Sequence, residues 1–109
     1  MMQIRSNWRN VLRAAVFVFL GVTGAASAAD IEQGQRIYQR WCVECHGSIA
    51  AKTARDSAPP LAQIVRDKTL TPGALRTWLA NPHPPMPNLS LGRREIEDII
   101  AYLQSLRTK

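Results

Sequence analysis

Three stretches of the 109-residue chain repeat their apolar positions with helical spacing, and a fourth is apolar throughout. From Asp30 to Trp41, the residues Ile31, Gly34, Tyr38 and Trp41 recur at steps of three and four with Ile37 beside them. This predicts an amphipathic helix leading straight into Cys42. Near the other end, Gly92 to Leu106 carries Ile96, Ile99, Ile100 and Leu103 at i, i+3, i+4 and i+7, with Tyr102 on the flank. Glu95, Glu97 and Asp98 fall in its first two turns and Arg107 and Lys109 at its end, the order of charge that a helix dipole favours. Between these lies LTPGALRTWLANP, residues 70–82. There Thr71 is an N-cap, Pro72 suits the first helical position, Leu75, Trp78 and Leu79 share a face, and Pro82 stops the helix. No alternation of β-branched and polar residues bounded by turns is present, so no strand is expected and the fold class is all-α.

The fourth stretch, Ala14 to Val22, reads AAVFVFLGV without a charge, after Arg5, Arg9 and Arg13 and before the small-x-small triplet Ala26-Ser27-Ala28. That order is a secretory leader cut after Ala28, which makes residues 1–28 a signal peptide and 29–109 the mature domain. A retained anchor is the alternative, but the uncharged run from Ala14 to Ala29 includes Thr23 and Ser27 and falls short of the roughly 20 apolar residues that a spanning helix needs. No stable membrane insertion is expected after cleavage. Without the three leader arginines the net charge falls from +6 to +3, spread along the chain. Nucleic acid is then a poor partner, because a basic footprint would be a dense stripe on one face. A single small domain remains, and at about 80 residues a hydrophobic core alone supplies only ~3–5 kcal/mol, so an additional organising element is expected.

That element is suggested by RWCVECHGS, residues 40–48, which holds both cysteines of the chain and the following His46. Two thiols are too few for a disulfide framework. A thioredoxin-like pair would sit at a helix start after a strand, and no strand is predicted. Structural zinc needs four ligands, and the mature chain offers Cys42, Cys45, His46 and His83, of which adjacent Cys45 and His46 point in different directions. C-x-x-C-H is the signature of covalent haem attachment: two sulfurs one turn apart each form a thioether with a porphyrin vinyl, and the next imidazole reaches the iron. A second axial ligand in such proteins is commonly a methionine sulfur, and Met86, in HPPMPNL, is the one methionine after the leader. Held between Pro85 and Pro87, it is expected in stiff extended chain. His83 is the competing ligand, and is expected to be exposed instead.

Beyond these residues, the sequence resembles the monohaem class I cytochromes c over its whole mature length. The family's C-x-x-C-H appears as Cys42 to His46, its G-P-x-L as APPL at 58–61, and its methionine loop as PPMPN at 84–88; Ala58 departs from the usual glycine. The resemblance implies three to five helices wrapped around one haem c, with a short helix at about Leu61–Arg66. It implies that the Pro59 carbonyl accepts a hydrogen bond from His46 Nδ1, and that Trp78 covers the haem and directs its indole N–H to a propionate. Trp78 as plain core is the other reading. Gly34 is either tolerated on a solvent face or, as in the family, lets the last helix cross closely with Tyr38 and Tyr102 at the crossing.

Iron with two protein ligands has no vacancy for a substrate, so peroxidase-like or gas-binding chemistry is disfavoured. The expected function is periplasmic one-electron transfer, with a dehydrogenase as donor and an oxidase or reductase as acceptor. The alternative is a dedicated haem subunit of a periplasmic dehydrogenase, for example a molybdenum enzyme. Lys52, Arg55, Arg66 and Lys68 either ring the haem edge or are ordinary solvated charge.

Overall fold

The computed structural model describes residues 28–51, 54–55, 58–81 and 83–109; the expected leader, apart from Ala28, and Lys52 and Pro82 lie outside them. Five helices and no strand occur among the described residues: α1 (Ile31–Trp41), α2 (Val43–His46), α3 (Leu61–Arg66), α4 (Pro72–Ala80) and α5 (Arg93–Arg107). None is long and apolar enough to cross a membrane.

The starts of α1, α4 and α5 have local causes. Asp30 caps α1, its carboxylate accepting from the Gln33 N–H at 3.0 Å. Thr71 Oγ1 does the same for Ala74 of α4 at 3.1 Å, with Pro72 at the first position, where its missing N–H costs nothing. At the start of α5 the Gly92 N–H donates to Glu95 Oε2 at 2.7 Å, half of a capping box whose other half glycine has no side chain to make. The end of α3 is closed from outside. Arg107, at the end of α5, donates from Nη2 to the carbonyls of Leu70 at 2.9 Å, Asp67 at 3.1 Å and Ile64 at 3.4 Å.

α5 is the spine on which the others pack. Its Ile96, Ile99, Ile100 and Leu103 are buried together with Ile37 and Tyr38 of α1, Leu61 and Val65 of α3, Leu75 of α4 and Cys42. The most extensive contact is with α1, and it passes over Gly34. A Cβ placed there would collide with the Asp98 carbonyl and stand 2.9 Å from Tyr102 Cβ, so this crossing requires glycine. The rings of Tyr38 and Tyr102 meet beside it with centroids 5.7 Å apart.

Two features differ from the helical pattern. The apolar stripe of α1 is buried only at its centre, while Ile31 at one end and Trp41 at the other are 49% and 53% exposed. The reason is the crossing itself, which covers the middle of α1 and leaves both ends uncovered. Asp98, which suits the helix dipole by position, is also buried, at 3% exposure, and its Oδ1 accepts the Asp30 N–H at 2.8 Å. The N-cap residue of α1 is thereby fastened to an α5 side chain beside the crossing.

Candidate functional site

The Cys42–His46 pentapeptide is one turn of helix held at both ends by a single residue. The Cys42 N–H donates to the Tyr38 carbonyl at 2.8 Å, and the Cys42 carbonyl accepts from His46 at 2.9 Å and Cys45 at 3.2 Å. At the far end the chain leaves through Gly47 at φ 74°, a left-handed conformation that favours glycine. Its carbonyl accepts the Tyr38 hydroxyl at 2.6 Å. Burial, with smaller contributions from Cys42 and Tyr102, raises the pKa of that hydroxyl and keeps it a protonated donor. Nothing in the hydrophobic pattern indicates this clamp, since Tyr38 reads there only as an apolar position.

The two thiols are free and unequally placed, Cys42 buried and Cys45 half-buried. Burial, and secondarily the neighbouring Cys45, pushes the Cys42 thiol up to about 11. An attacking cysteine needs the opposite shift, toward thiolate at neutral pH, so Cys42 is not placed to attack a disulfide. Among the described residues no group of three His, Cys, Asp or Glu side chains converges as a zinc site requires.

His46 Nδ1 lies 2.8 Å from the Pro59 carbonyl oxygen, the pairing that the resemblance implied. A carbonyl only accepts, so Nδ1 carries the proton and the Nε2 lone pair is the one left for a metal. Ala58, beside it, has no positive φ, and alanine in place of glycine is unstrained there. The loop between is tied to the motif by Arg55, whose N–H donates to the Cys45 carbonyl at 2.9 Å and whose guanidinium pairs with Glu44 at 3.1 Å.

The second half of the site is a depression shared by Met86, Trp78, Leu79, His83, Leu89 and Leu91. Leu79 and Leu91 also pack on the core cluster that contains Cys42, so both halves rest on one core. Two expectations are corrected here. Met86 is not in extended chain: its N–H returns to the His83 carbonyl at 3.0 Å, closing a four-residue turn with a cis Pro84–Pro85 bond, the type VI arrangement. His83 is half-buried instead of exposed, because its ring meets the Trp78 indole edge-on, 4.4 Å between centroids at 80°. Trp78 is 51% exposed and lines the same depression as Met86. Arg66 and Lys68 lie apart from this depression, beside Leu106, Arg107 and Lys109, whereas Arg55 is next to the motif.

The residues fit a c-type haem. Two free thiols stand on one turn, an imidazole is locked in the tautomer that presents Nε2, and a thioether sits in a depression lined by Trp78, Leu79, Pro87, Leu89 and Leu91. Large apolar side chains remain open near them: Trp41 directly before Cys42, Ile49 three residues after His46, and Trp78 beside Met86.

Comparison with known proteins agrees. Residues 29–103 match the family described as cytochrome c oxidase, cbb3-type, subunit III. Cytochrome c-552 of Bradyrhizobium diazoefficiens is 39% identical over 87 residues, which cover 78% of this chain and 83% of that protein. No solved structure matches the chain at a comparable level. The chain belongs to the c-type cytochromes of class I, electron-transfer proteins that carry covalently bound haem c.

Proposed function

We infer that the chain is a periplasmic one-electron carrier, exported by its leader and holding one haem c through Cys42 and Cys45, with His46 and Met86 as the iron ligands. The observation that carries this reading is the His46 Nδ1 bond to Pro59 beside two cysteines on the same turn. Haem iron supplies reversible exchange of one electron between its ferrous and ferric states. The chain's residues set the terms of that exchange. Pro59 fixes the imidazole tautomer and orientation and raises its basicity. Met86 would be the second protein ligand, leaving no vacancy for a substrate or gas, and its soft sulfur would favour ferrous iron and raise the potential relative to a bis-imidazole site. Trp78 and the leucines that line the depression with Met86 would cover the group and lower the local dielectric. Donor and acceptor are larger periplasmic redox enzymes, a dehydrogenase on one side and an oxidase or reductase on the other, met in brief encounters of small area.

Two measurements test this. A pyridine haemochrome spectrum of the purified mature protein should show porphyrin whose vinyls have been consumed, one per chain. Met86→Ala should give a lower potential and an exchangeable sixth ligand, and a variant with the wild-type ferric spectrum would remove Met86 from the iron.

A second reading, a haem-bearing subunit of a larger oxidoreductase, is favoured by one observation: the matching family is described as an oxidase subunit. Native mass in a mild extract separates the two. The carrier migrates alone, whereas a subunit co-elutes with its complex.

A further inference from the structure

We propose that His83 is a positioning residue that holds the methionine turn against α4, through the edge contact of its ring with Trp78 and its own carbonyl. The inference rests on the reading of Met86 as an iron ligand and goes beyond it by naming what keeps that ligand in place. Residues 84–89 are poorly equipped to hold themselves. Pro84, Pro85 and Pro87 have no N–H, and between described residues the hydrogen bonds made along this stretch are Met86 N–H to the His83 carbonyl and Ser90 N–H to Asn88 Oδ1, the second purely local.

His83, by contrast, is fastened to α4 twice over. Its Nδ1–H donates to the Asn81 carbonyl at 3.0 Å, and its ring stands edge-on to Trp78 with centroids 4.4 Å apart. Asn81 is itself locked on the end of α4, since its N–H and Nδ2 both donate to the Thr77 carbonyl, at 3.2 and 2.8 Å. A path therefore runs from the rigid helix through Asn81 and Trp78 to the His83 ring, and from the His83 carbonyl to the Met86 N–H. The same Trp78 lines the depression in which Met86 sits, so one contact orders both the cover and the ligand. His83 touches neither reacting atoms nor cofactor in this account. It acts through Met86 and Trp78.

The test is the rate at which added imidazole binds the ferric holoprotein, followed by its Soret change in a stopped-flow instrument, because entry at the iron requires the methionine turn to open. Losing an aromatic edge contact and the hydrogen bond behind it makes opening easier, and His83→Ala should bind imidazole roughly tenfold faster than wild type. His83→Phe keeps the ring edge and should return to within about threefold of wild type, a rescue that a general loss of stability does not produce. Should His83→Ala fail to mature, His83→Asn, which also lacks the ring, takes its place. A ringless variant reacting at the wild-type rate, or His83→Phe reacting as fast as the ringless variant, would overturn the proposal. Met86→Ala in parallel keeps the two ideas distinguishable. If its ferric spectrum and imidazole rate equal those of wild type, the ligand assignment has failed; if it is open and fast while His83→Ala is unchanged, the positioning role alone has failed.

Discussion

Replacing Gly34 by alanine sets a local preference against a tertiary one, and the geometry decides the winner. In an isolated helix the change gains about 1 kcal/mol, because alanine is the better helix former. At the α1–α5 crossing the new methyl lands 2.5 Å from the Asp98 carbonyl carbon and 2.9 Å from Tyr102 Cβ. Ordinary carbon contact is roughly 3.5 Å, so the helices must part by about 1 Å, and a gap of that size forfeits up to about half the dispersion attraction of the atoms facing it. The obstacle is main chain in mid-helix, with no rotamer that swings aside. Overpacking of this kind costs about 1–3 kcal/mol or more, and the rigid neighbour puts the cost at the upper end, leaving a net loss of about 2 kcal/mol. For a domain of this size that is a fall in Tm on the order of 10 °C. The damage should also reach the site, because moving α1 pulls the Tyr38 hydroxyl off the Gly47 carbonyl that ends the Cys42–His46 turn. Guanidinium unfolding of the holoprotein, followed both by far-UV dichroism and by the Soret band, reads both effects. A Gly34→Ala protein within 0.5 kcal/mol of wild type would show that the helices do not meet as described.

Three further outcomes follow from single contacts. Tyr38→Phe removes the hydroxyl from the Gly47 carbonyl and should cost about 1–2 kcal/mol in the same unfolding assay; an unchanged midpoint would mean that water replaces it without loss. Asp98→Ala leaves the Asp30 N–H without its acceptor and should cost about 1–3 kcal/mol, with amide exchange accelerated first at the α1 N-terminus. The Asp67 carboxyl is held below its ordinary value of 3.8 chiefly by the Thr69 hydroxyl and N–H, so it contributes stability that is present above that value and is lost as pH falls through the lower folded-state value. Asp67→Asn should therefore flatten the acid limb of a Tm-against-pH curve while leaving the neutral region nearly unchanged, and an unaltered acid limb would contradict the assignment.

How far the sequence discloses this molecule depends on how local each task is. In the proposed reading, covalent attachment takes two sulfurs and an imidazole within one turn, so Cys42, Cys45 and His46 fall in one pentapeptide and are readable. The α5 stripe is readable for the same reason: Ile96, Ile99, Ile100 and Leu103 repeat with the helix and are all buried. Burial on α1 was only half legible, because periodicity marks a stripe but does not say where the partner helix stops; Ile31 and Trp41 continue the stripe past the region that α5 covers. Three roles were not legible at all, and they share a cause. Tyr38 reaches nine residues forward to Gly47, Asp98 reaches back 68 residues to Asp30, and His83 turns its ring onto a tryptophan of the preceding helix. In each, a side chain with an adequate local explanation, as apolar position, dipole partner or exposed loop residue, has its function set by an element that arrives only on folding. Those same three residues hold the ends of the attachment turn, the start of α1 and the methionine turn. The chemistry is thus written in short motifs, while the stiffness with which that chemistry is presented depends on residues whose partners lie elsewhere in the chain. Substitutions at the motifs should abolish attachment or ligation outright, whereas substitutions at Tyr38, Asp98 and His83 should leave a coloured protein whose ligands are held less firmly.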